Sequence, residues 1–382
     1  MNKKIKVCSR CVMDKSVSNI HFDKNGYCNY CIQYSKSLKD DGTFIEVENL
    51  ETFINKIKWS GRNKKYNCIV GVSGGADSSW ALLKAKKFGL KPLAVHMDNG
   101  WNSELAQSNI QGLIESLDVD LYTYVINWEE YRDLMQAFFD ADVIDVELLY
   151  DNAMIAVNYR MAKKYGIKYI LSGSNSSTER MMMPPNWNWF KYDKTNIYDI
   201  YKNYTSKKIK TFPTYSSLDL IIDTYIRNIK WVPFLDFFNY KKELAMNELN
   251  KFCGFKKYPY KHYESIFTRF YQGHILPKKF NVDKRKLHLS TLILSGQMDR
   301  EKAILDLKEI SYPHEKELEV DKEYFLKKMK WSNKELDLYL NRPEISHDSY
   351  KSEKKFWVKM NYIGKKILPK GIINFLKKRR LI

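Results

Sequence analysis

The chain has 382 residues, 44% of them hydrophobic and 29% charged, with a formal net charge of +19. That length holds two or three domains and a sizeable core, and the composition excludes a disordered or fibrous chain. No apolar run approaches the ~20 residues of a membrane span, and the basic segment 1–11 lacks the apolar stretch of a secretory signal, so a cytoplasmic location is expected. The charge invites a nucleic-acid partner. Its densest stretch, however, is 351–382, where eleven Lys or Arg stand against one Glu. A basic tail is therefore expected rather than a basic groove, with no nucleic-acid partner.

Residues 1–40 read as a zinc-binding knuckle. Cys8-x-x-Cys11 and Cys28-x-x-Cys31 are separated by sixteen residues, a zinc-ligand spacing. Two such turns present four thiolates to one ion and leave no open position, so Zn²⁺ there would be structural. An iron–sulfur cluster or a redox pair is the alternative. Residues 45–60 have the spacing of a connecting helix.

The segment Cys68-Ile69-Val70-Gly71-Val72 is a short apolar strand. It runs into Ser73-Gly74-Gly75-Ala76-Asp77-Ser78-Ser79 and then a helical pattern from Trp80. Strand, glycine turn and helix together form a phosphate-binding context, because backbone N–H groups and a helix N-terminus converge on the turn. The lysine of a Walker A loop is absent. Asp77 beside phosphates implies an intervening cation, Mg²⁺. A second strand, Leu93–Met97, ends in Asp98-Asn99-Gly100. The strand–helix–strand unit predicts a parallel sheet with ligands beyond the carboxyl ends of its strands.

Helices are predicted over Asn102–Leu117, Tyr131–Phe139 and Asp145–Tyr165, with strands at Leu121–Ile126 and Ile167–Ser172. The last strand opens into Gly173-Ser174-Asn175-Ser176-Ser177-Thr178-Glu179. Asn175 and Glu179 are candidates for ribose, Mg²⁺ or an acyl oxygen; the same residues also suit a turn with a helix cap. The run Met181–Phe190, with Trp187 and Trp189, reads either as a lid whose aromatic faces stack on a sugar or base, or as a packed loop. Residues 211–260 read as helical, broken at Pro213, Pro233 and Pro259. The block 261–303 is rich in cations, among them Lys279 and Arg285, suited to neutralising pyrophosphate or to a solvated helix face. The tail after Ser346 is basic and amphipathic. It suits peripheral contact with an anionic membrane or an acidic partner, or packing on its own domain.

The SGGADS loop resembles that of the ATP pyrophosphatases, the PP-loop superfamily. The resemblance implies a parallel-sheet α/β, adenine nucleotide alpha hydrolase-like domain over 41–235, followed by a helical C-terminal region over 236–382 that completes the active site. It implies ATP contacts at Ser73, Gly74, Gly75, Asp77, Ser78, Ser79, Gly173 and Asn175, with His96, Met97 and Asp98 lining the nucleobase and Mg²⁺ on Asp77 and Glu179. Together with the double CxxC, the segments GSNSSTE, KHYESIFTRFYQG and the LPKKF–DKR–HLS–LILSGQMDRE block resemble the N-acetyl sugar amidotransferases of bacterial surface polysaccharide (lipopolysaccharide, O-antigen) biosynthesis.

That resemblance implies attack of a sugar's acetamido oxygen on the α-phosphate of ATP, then displacement of AMP by ammonia to give an acetamidino group. Asp77, Lys279 and Arg285 are the expected catalytic set, and Trp187, Trp189, His262, Glu264 and His288 the expected substrate contacts. Residue 2 is Asn rather than a glutaminase cysteine, so a separate glutaminase, similar to the histidine-biosynthesis synthase pair, is the expected ammonia source. The chief alternative is a tRNA-thiolating enzyme, which Cys68 and Cys253 do not suit because they form no evident pair. A zinc adaptor with an inactive nucleotide fold is the third reading, and the intact Asp77 argues against it.

Overall fold

The computed structural model describes residues 6–40, 49–258, 263–312 and 314–367. His262 and the tail beyond residue 367 lie outside the described residues. Five strands, β1 (Cys68–Gly71), β2 (Pro92–Asp98), β3 (Leu121–Val125), β4 (Tyr169–Ser172) and β5 (Lys230–Pro233), form one sheet in the order β3-β2-β1-β4-β5. Every pairing is parallel, as the strand–helix–strand reading predicts. β5 is a correction: residues 211–260 were expected to be helical, yet Lys230–Pro233 extends along β4. Pro233 is admissible there because it ends an edge strand.

The strand side chains alternate between two apolar layers. Cys68, Val70, Ala94 and Leu171 face one layer, and Ile69, Leu93, Val95 and Ile170 face the other. Both faces are therefore covered, which is why these strands read as continuous apolar runs. The edge strand β3 alternates between exposed and half-buried residues instead.

In the first layer α2 (Leu50–Ser60) and α3 (Ala76–Lys87) pack with α4 (Glu104–Leu117). Here α1 denotes Asn29–Asp40, the helix that follows the second cysteine turn. Asn49 caps α2 and Ser103 caps α4 through their side-chain oxygens. α5 (Trp128–Asp140) and α6 (Leu148–Lys164) cover the opposite face. Beyond β4 come α7 (Ser176–Glu179), α8 (Lys194–Tyr204) and α9 (Ser217–Ile221). After β5, α10 (Lys242–Cys253) returns to pack on α3 and α4. Glu248 fixes it there, accepting from Trp80 Nε1 at 2.6 Å and pairing with Lys84 at 3.0 Å and Lys87 at 2.6 Å.

The C-terminal region begins with a helix running from α11 (Ile266–Phe270) through a π-turn (Tyr271–Ile275) into α12 (Leu276–Phe280). Pro277 has no N–H to donate back to residue 273, which accounts for the loosened ladder before it. α13 (Arg285–Leu294), α14 (Arg300–Asp306), α15 (Glu315–Met329), α16 (Asn333–Asn341) and α17 (Lys354–Ile367) follow. No described helix is long and apolar enough to cross a membrane.

Candidate active site

The turn after β1 is held by its own serines. Ser78 Oγ accepts from Ser73 N at 3.2 Å and donates to Gly75 O at 3.2 Å, and the Ser73 and Ser78 hydroxyls lie 3.2 Å apart. Gly74 adopts φ +82°, and a Cβ there would stand 2.9 Å from the carbonyl oxygen of Ala106. Gly75 begins α3 without a side-chain cap, so the first N–H groups of that helix are left to an external acceptor. Gly173 presses on the same turn from β4; a Cβ on it would lie 2.6 Å from Ser78 N. The two glycine-rich strand ends therefore converge, as the sequence predicts.

They open into a cleft of about 1370 Å³, more than the ~300–1,000 Å³ that holds one small ligand. One wall carries Ser73, Gly75, Asp77 and Ser78, and Met97 stands at the end of β2. The far wall comes from the C-terminal region, with Glu264, Arg269, Gln272, Lys284 and His288. A local pairing brings Glu264 in. Asn102 and Ser265 form an antiparallel bridge, Ser103 N donates to Glu264 O at 3.0 Å, and Ile266 N donates to Trp101 O at 2.9 Å. Glu264 Oε1 lies 3.7 Å from the position a Gly75 Cβ would take.

Asp77 accepts a hydrogen bond from the buried hydroxyl of Tyr240. Burial, then the Asp77 carboxylate, then Glu179 push the Tyr240 pKa up. Asp77 and Glu179 both line the cleft, and carboxylate oxygens are the ligand type that suits a hard divalent cation.

Other expected site residues stand elsewhere. His96 is buried on the opposite side of β2 from Val95 and Met97; its Nδ1 donates to Val72 O at 2.9 Å and its Nε2 accepts from Asn102 at 3.0 Å. Burial lowers its pKa, matching a neutral ring with both nitrogens engaged. Asp98 closes the following turn by accepting from Gly100 N at 2.8 Å. Ser79 is fully buried, its hydroxyl without a hydrogen-bond partner among the described residues. Asn175 is the N-cap of α7, accepting from Thr178 N at 2.9 Å.

Trp187 and Trp189 are core residues rather than a stacking lid. Trp189 stacks on His347 at 4.9 Å and donates to Asp193 at 2.8 Å. It is the methionines of that run, Met181 to Met183, that reach the cleft. Lys279 is also a correction. Its ammonium is fully buried against Asp142 at 2.9 Å and the carbonyls of Tyr339 and Arg342 at 2.8 Å each. Arg285 touches the cleft rim, but its guanidinium is committed to Asp283 and to the carbonyls of Asp306 and Glu309.

The sequence reading missed Arg180 and Lys242, which line the cleft; Lys284, within the cation-rich block it singled out, lines the cleft while pairing with Glu147 at 2.8 Å. Glu147 also accepts from Gln272 at 2.9 Å. It missed two buried polar atoms at the cleft floor as well. Asn158 Oδ1 and Ser172 Oγ both have no hydrogen-bond partner among the described residues. A buried polar atom of this kind marks a place for a ligand's polar group. An Asn in mid-helix and a Ser at a strand end carry no motif that would have found them.

The four cysteines come together as their spacing predicts. All are buried, and their sulfurs lie within 4.8 Å of one another. Cys8–Cys31 and Cys11–Cys28 are 3.8 and 3.7 Å apart, the edge of a tetrahedron with metal–sulfur bonds of about 2.3 Å. Cys28 N and Arg10 N donate to Cys8 Sγ at 3.2 and 3.4 Å, which supports a thiolate there. The knuckle docks on the far wall of the cleft. Arg300 donates to Cys8 O at 2.8 Å and Cys11 O at 3.1 Å, and Lys286 pairs with Asp14 at 2.8 Å. Val12 packs with Leu289 and Ala303.

Comparison with known proteins gives three further findings. Residues 264–363 match the family described as LPS biosynthesis protein WbpG-like, C-terminal domain. An uncharacterized protein of Methanocaldococcus jannaschii is 30% identical over 169 residues, 44% of this chain, and the match spans 58% of that relative's length. Among solved structures, the NH3-dependent NAD synthetase of Campylobacter jejuni has 16% identity and a TM-score of 0.28, covering 55% of this chain and 96% of its own. The NMN synthetase of Francisella tularensis has 16% identity and a TM-score of 0.28, covering 61% and 98%. The U34-tRNA thiolase of Methanococcus maripaludis has 12% identity and a TM-score of 0.27, covering 80% and 90%. The matched residues, 264–363, include those that build the far wall of the cleft, so the likeness to the WbpG-like C-terminal domain falls on the site itself.

Proposed function

We propose that the protein is an ATP-dependent, AMP-forming amidotransferase of bacterial surface polysaccharide biosynthesis. It converts the acetamido group of an N-acetylated, nucleotide-linked sugar to an acetamidino group. One observation carries this reading: the glycine turn after β1 and the WbpG-like segment line the same cleft, with Glu264 beside Gly75. The cleft's volume of about 1370 Å³ accommodates a nucleotide and an acceptor together.

In this reading the N–H groups that begin α3, with Ser73 and Ser78, bind the pyrophosphate half of ATP. Asn158 and Ser172 take the polar groups of the nucleoside from the cleft floor. Asp77 and Glu179 hold Mg²⁺, which supplies charge neutralisation at the phosphates. Lys242 and Arg180 are the cations in reach of the departing pyrophosphate. The far wall orients the acetamido oxygen for attack on the α-phosphorus. The oxygen–phosphorus bond forms as the bond to pyrophosphate breaks. Ammonia then adds to the O-adenylated imidate, loses a proton and expels AMP. No cysteine among the described residues lines the cleft, and the scheme routes no step through an enzyme thiol. Ammonia is assigned to a separate glutaminase, and Zn²⁺ to the four-cysteine site as a structural ion.

The test is AMP and pyrophosphate release with Mg·ATP and ammonium, comparing nucleotide-linked N-acetyl sugars with bulk tRNA. Sugar-dependent release, with an oxygen replaced by NH in the product, supports the reading. Release that requires tRNA and a sulfur donor overturns it. Asp77→Asn is expected to abolish release while leaving the thermal melt unchanged.

A further inference from the structure

The face opposite the cleft is formed by the amino ends of the five parallel strands. The segments that enter them are 58–65, 86–91, 118–120, 163–168 and 225–230. Together they hold twelve lysines and arginines against two acids. All twelve cations are exposed or half-buried.

Hydrogen bonds join these segments into one continuous band. Lys86 donates to Asp118 O and Lys91 to Lys64 O, both at 3.0 Å. Lys64 in turn donates to Gly166 O, and Lys168 to Arg227 O at 2.6 Å. The acids on this face are already engaged or at its margin. Asp120 pairs with Lys65 at 2.9 Å, Glu248 of α10 holds Lys87 at 2.6 Å, and the buried Asp223 behind the band holds Lys163 and Arg227 at 3.0 and 2.6 Å. Asp118 sits at the β3 edge.

Large apolar side chains project from the same band. Trp59 is 69% exposed, Tyr225 51% and Ile226 76%. The Arg62 guanidinium lies over the Trp59 ring at 4.5 Å.

We propose that this face docks on an anionic lipid surface, with the cations on the headgroups and Trp59, Tyr225 and Ile226 at the interface. Clustered lysines and arginines are drawn to a negative leaflet, and an interfacial tryptophan adds apolar contact. An aliphatic tip such as Ile226 gains by entering lipid and has nothing to stack on in a nucleic acid. An RNA held here would also sit at the far end of the sheet from the cleft, so it would be no substrate. The geometry leaves the cleft facing away from the membrane and open to soluble substrates. The inference stands on the surface alone and does not depend on the reaction proposed above.

The test is co-sedimentation of the full chain with vesicles of phosphatidylcholine, with and without phosphatidylglycerol. Binding is expected only to the anionic vesicles and is expected to fall as salt rises. The triple charge reversal K58E/R62E/K164E uses surface positions outside the cleft. It is expected to lower the vesicle-bound to free ratio at least about ten-fold. Trp59→Ser, which leaves the net charge of the face unchanged, is expected to weaken binding without changing its salt dependence. Equal binding to neutral vesicles would overturn the proposal. So would binding untouched by both variants, which would assign it to the basic segment 368–382, or efficient displacement of anionic vesicles by RNA.

Discussion

The hydroxyl of Tyr240, in the segment between β5 and α10, donates to the carboxylate of Asp77 in the first turn of α3. Tyr240 is nearly fully buried, and its ring packs 5.3 Å from that of Trp80 on α3. The contact therefore fixes the direction in which the carboxylate points. A hydrogen bond to a charged group contributes about 1.5–3 kcal/mol. Tyr240→Phe keeps the packing and removes the donor. We expect kcat for pyrophosphate release to fall roughly ten-fold or more and the Mg²⁺ requirement to change, with stability lowered by no more than about 3 kcal/mol. An unchanged Mg²⁺ titration would show that Asp77 needs no positioning by Tyr240.

Lys279 looks catalytic in sequence, because it stands in a cation-rich block of the segment that matches the WbpG-like family. In the fold it holds α12 to α16 through the Tyr339 and Arg342 carbonyls and pairs with Asp142. Removing one member of a buried ion pair costs about 3–5 kcal/mol. Lys279→Met is therefore expected to lower stability by about that amount. At a temperature where the variant is folded, its kinetic constants should match those of the parent. A specific loss of kcat in a folded variant would return Lys279 to the reaction.

These two residues show what the sequence could and could not carry. The glycine turn was legible because few residue types satisfy φ +82° at Gly74 and the close approach of Gly173. The cysteine tetrad was legible because ligand spacing is a local property. Parallel pairing followed from apolar strands alternating with helices. The cation roles were not legible: whether a lysine meets solvent, phosphate or a carbonyl depends on contacts made by distant segments, such as Asp142 with Lys279. For the same reason Trp189 resembles a stacking residue until His347 occupies its face. β5 was hidden because a four-residue edge strand with a terminal proline has no periodic signature.

The knuckle's contacts predict what metal removal does. Arg300 reaches two backbone carbonyls of the first cysteine turn, and α13 and α14, which carry His288 and Lys302 to the cleft, rest on that turn. Structural zinc contributes about 10–16 kcal/mol to folding in small domains, so loss of the ion proposed for the four cysteines should release this wall. Chelation, or Cys28→Ser, is expected to raise hydrogen exchange in α13 and α14 while β1, β2 and α3 stay protected. Arg300→Met should retain zinc yet show the same exchange in milder form. Uniform exchange across the whole chain after chelation would contradict a local clamp.

Acid stability provides the last check, and it rests on His347. This ring is almost fully buried. Its Nε2 accepts from Asp145 N at 3.3 Å, and its Nδ1 donates to Asn196 Oδ1 at 2.7 Å, an arrangement only the neutral ring can make. Burial first, opposed by Asp145 and assisted by Lys191 and Lys354, lowers its pKa from an ordinary 6.5 to about 3. Burial likewise lowers His274 to about 4, with Lys278 and Lys322 adding to the effect. Below pH 6.5 the unfolded chain takes up protons at these positions that the folded chain refuses. Stability is therefore full above that pH and falls as pH drops toward 4 and 3. At about 1.4 kcal/mol per unit, His347 alone contributes roughly 3–5 kcal/mol to this loss. His347→Gln cannot ionise, so the difference in melting temperature between neutral and acidic buffer should shrink, with the remainder carried by His274 and by carboxylates whose pKa the fold lowers, such as Glu248 and Asp145. The variant should also be less stable at neutral pH, because the stack on Trp189 is lost. An acid slope identical to the parent's would mean that His347 is protonated in the folded chain, and that one of its two hydrogen bonds is not as described.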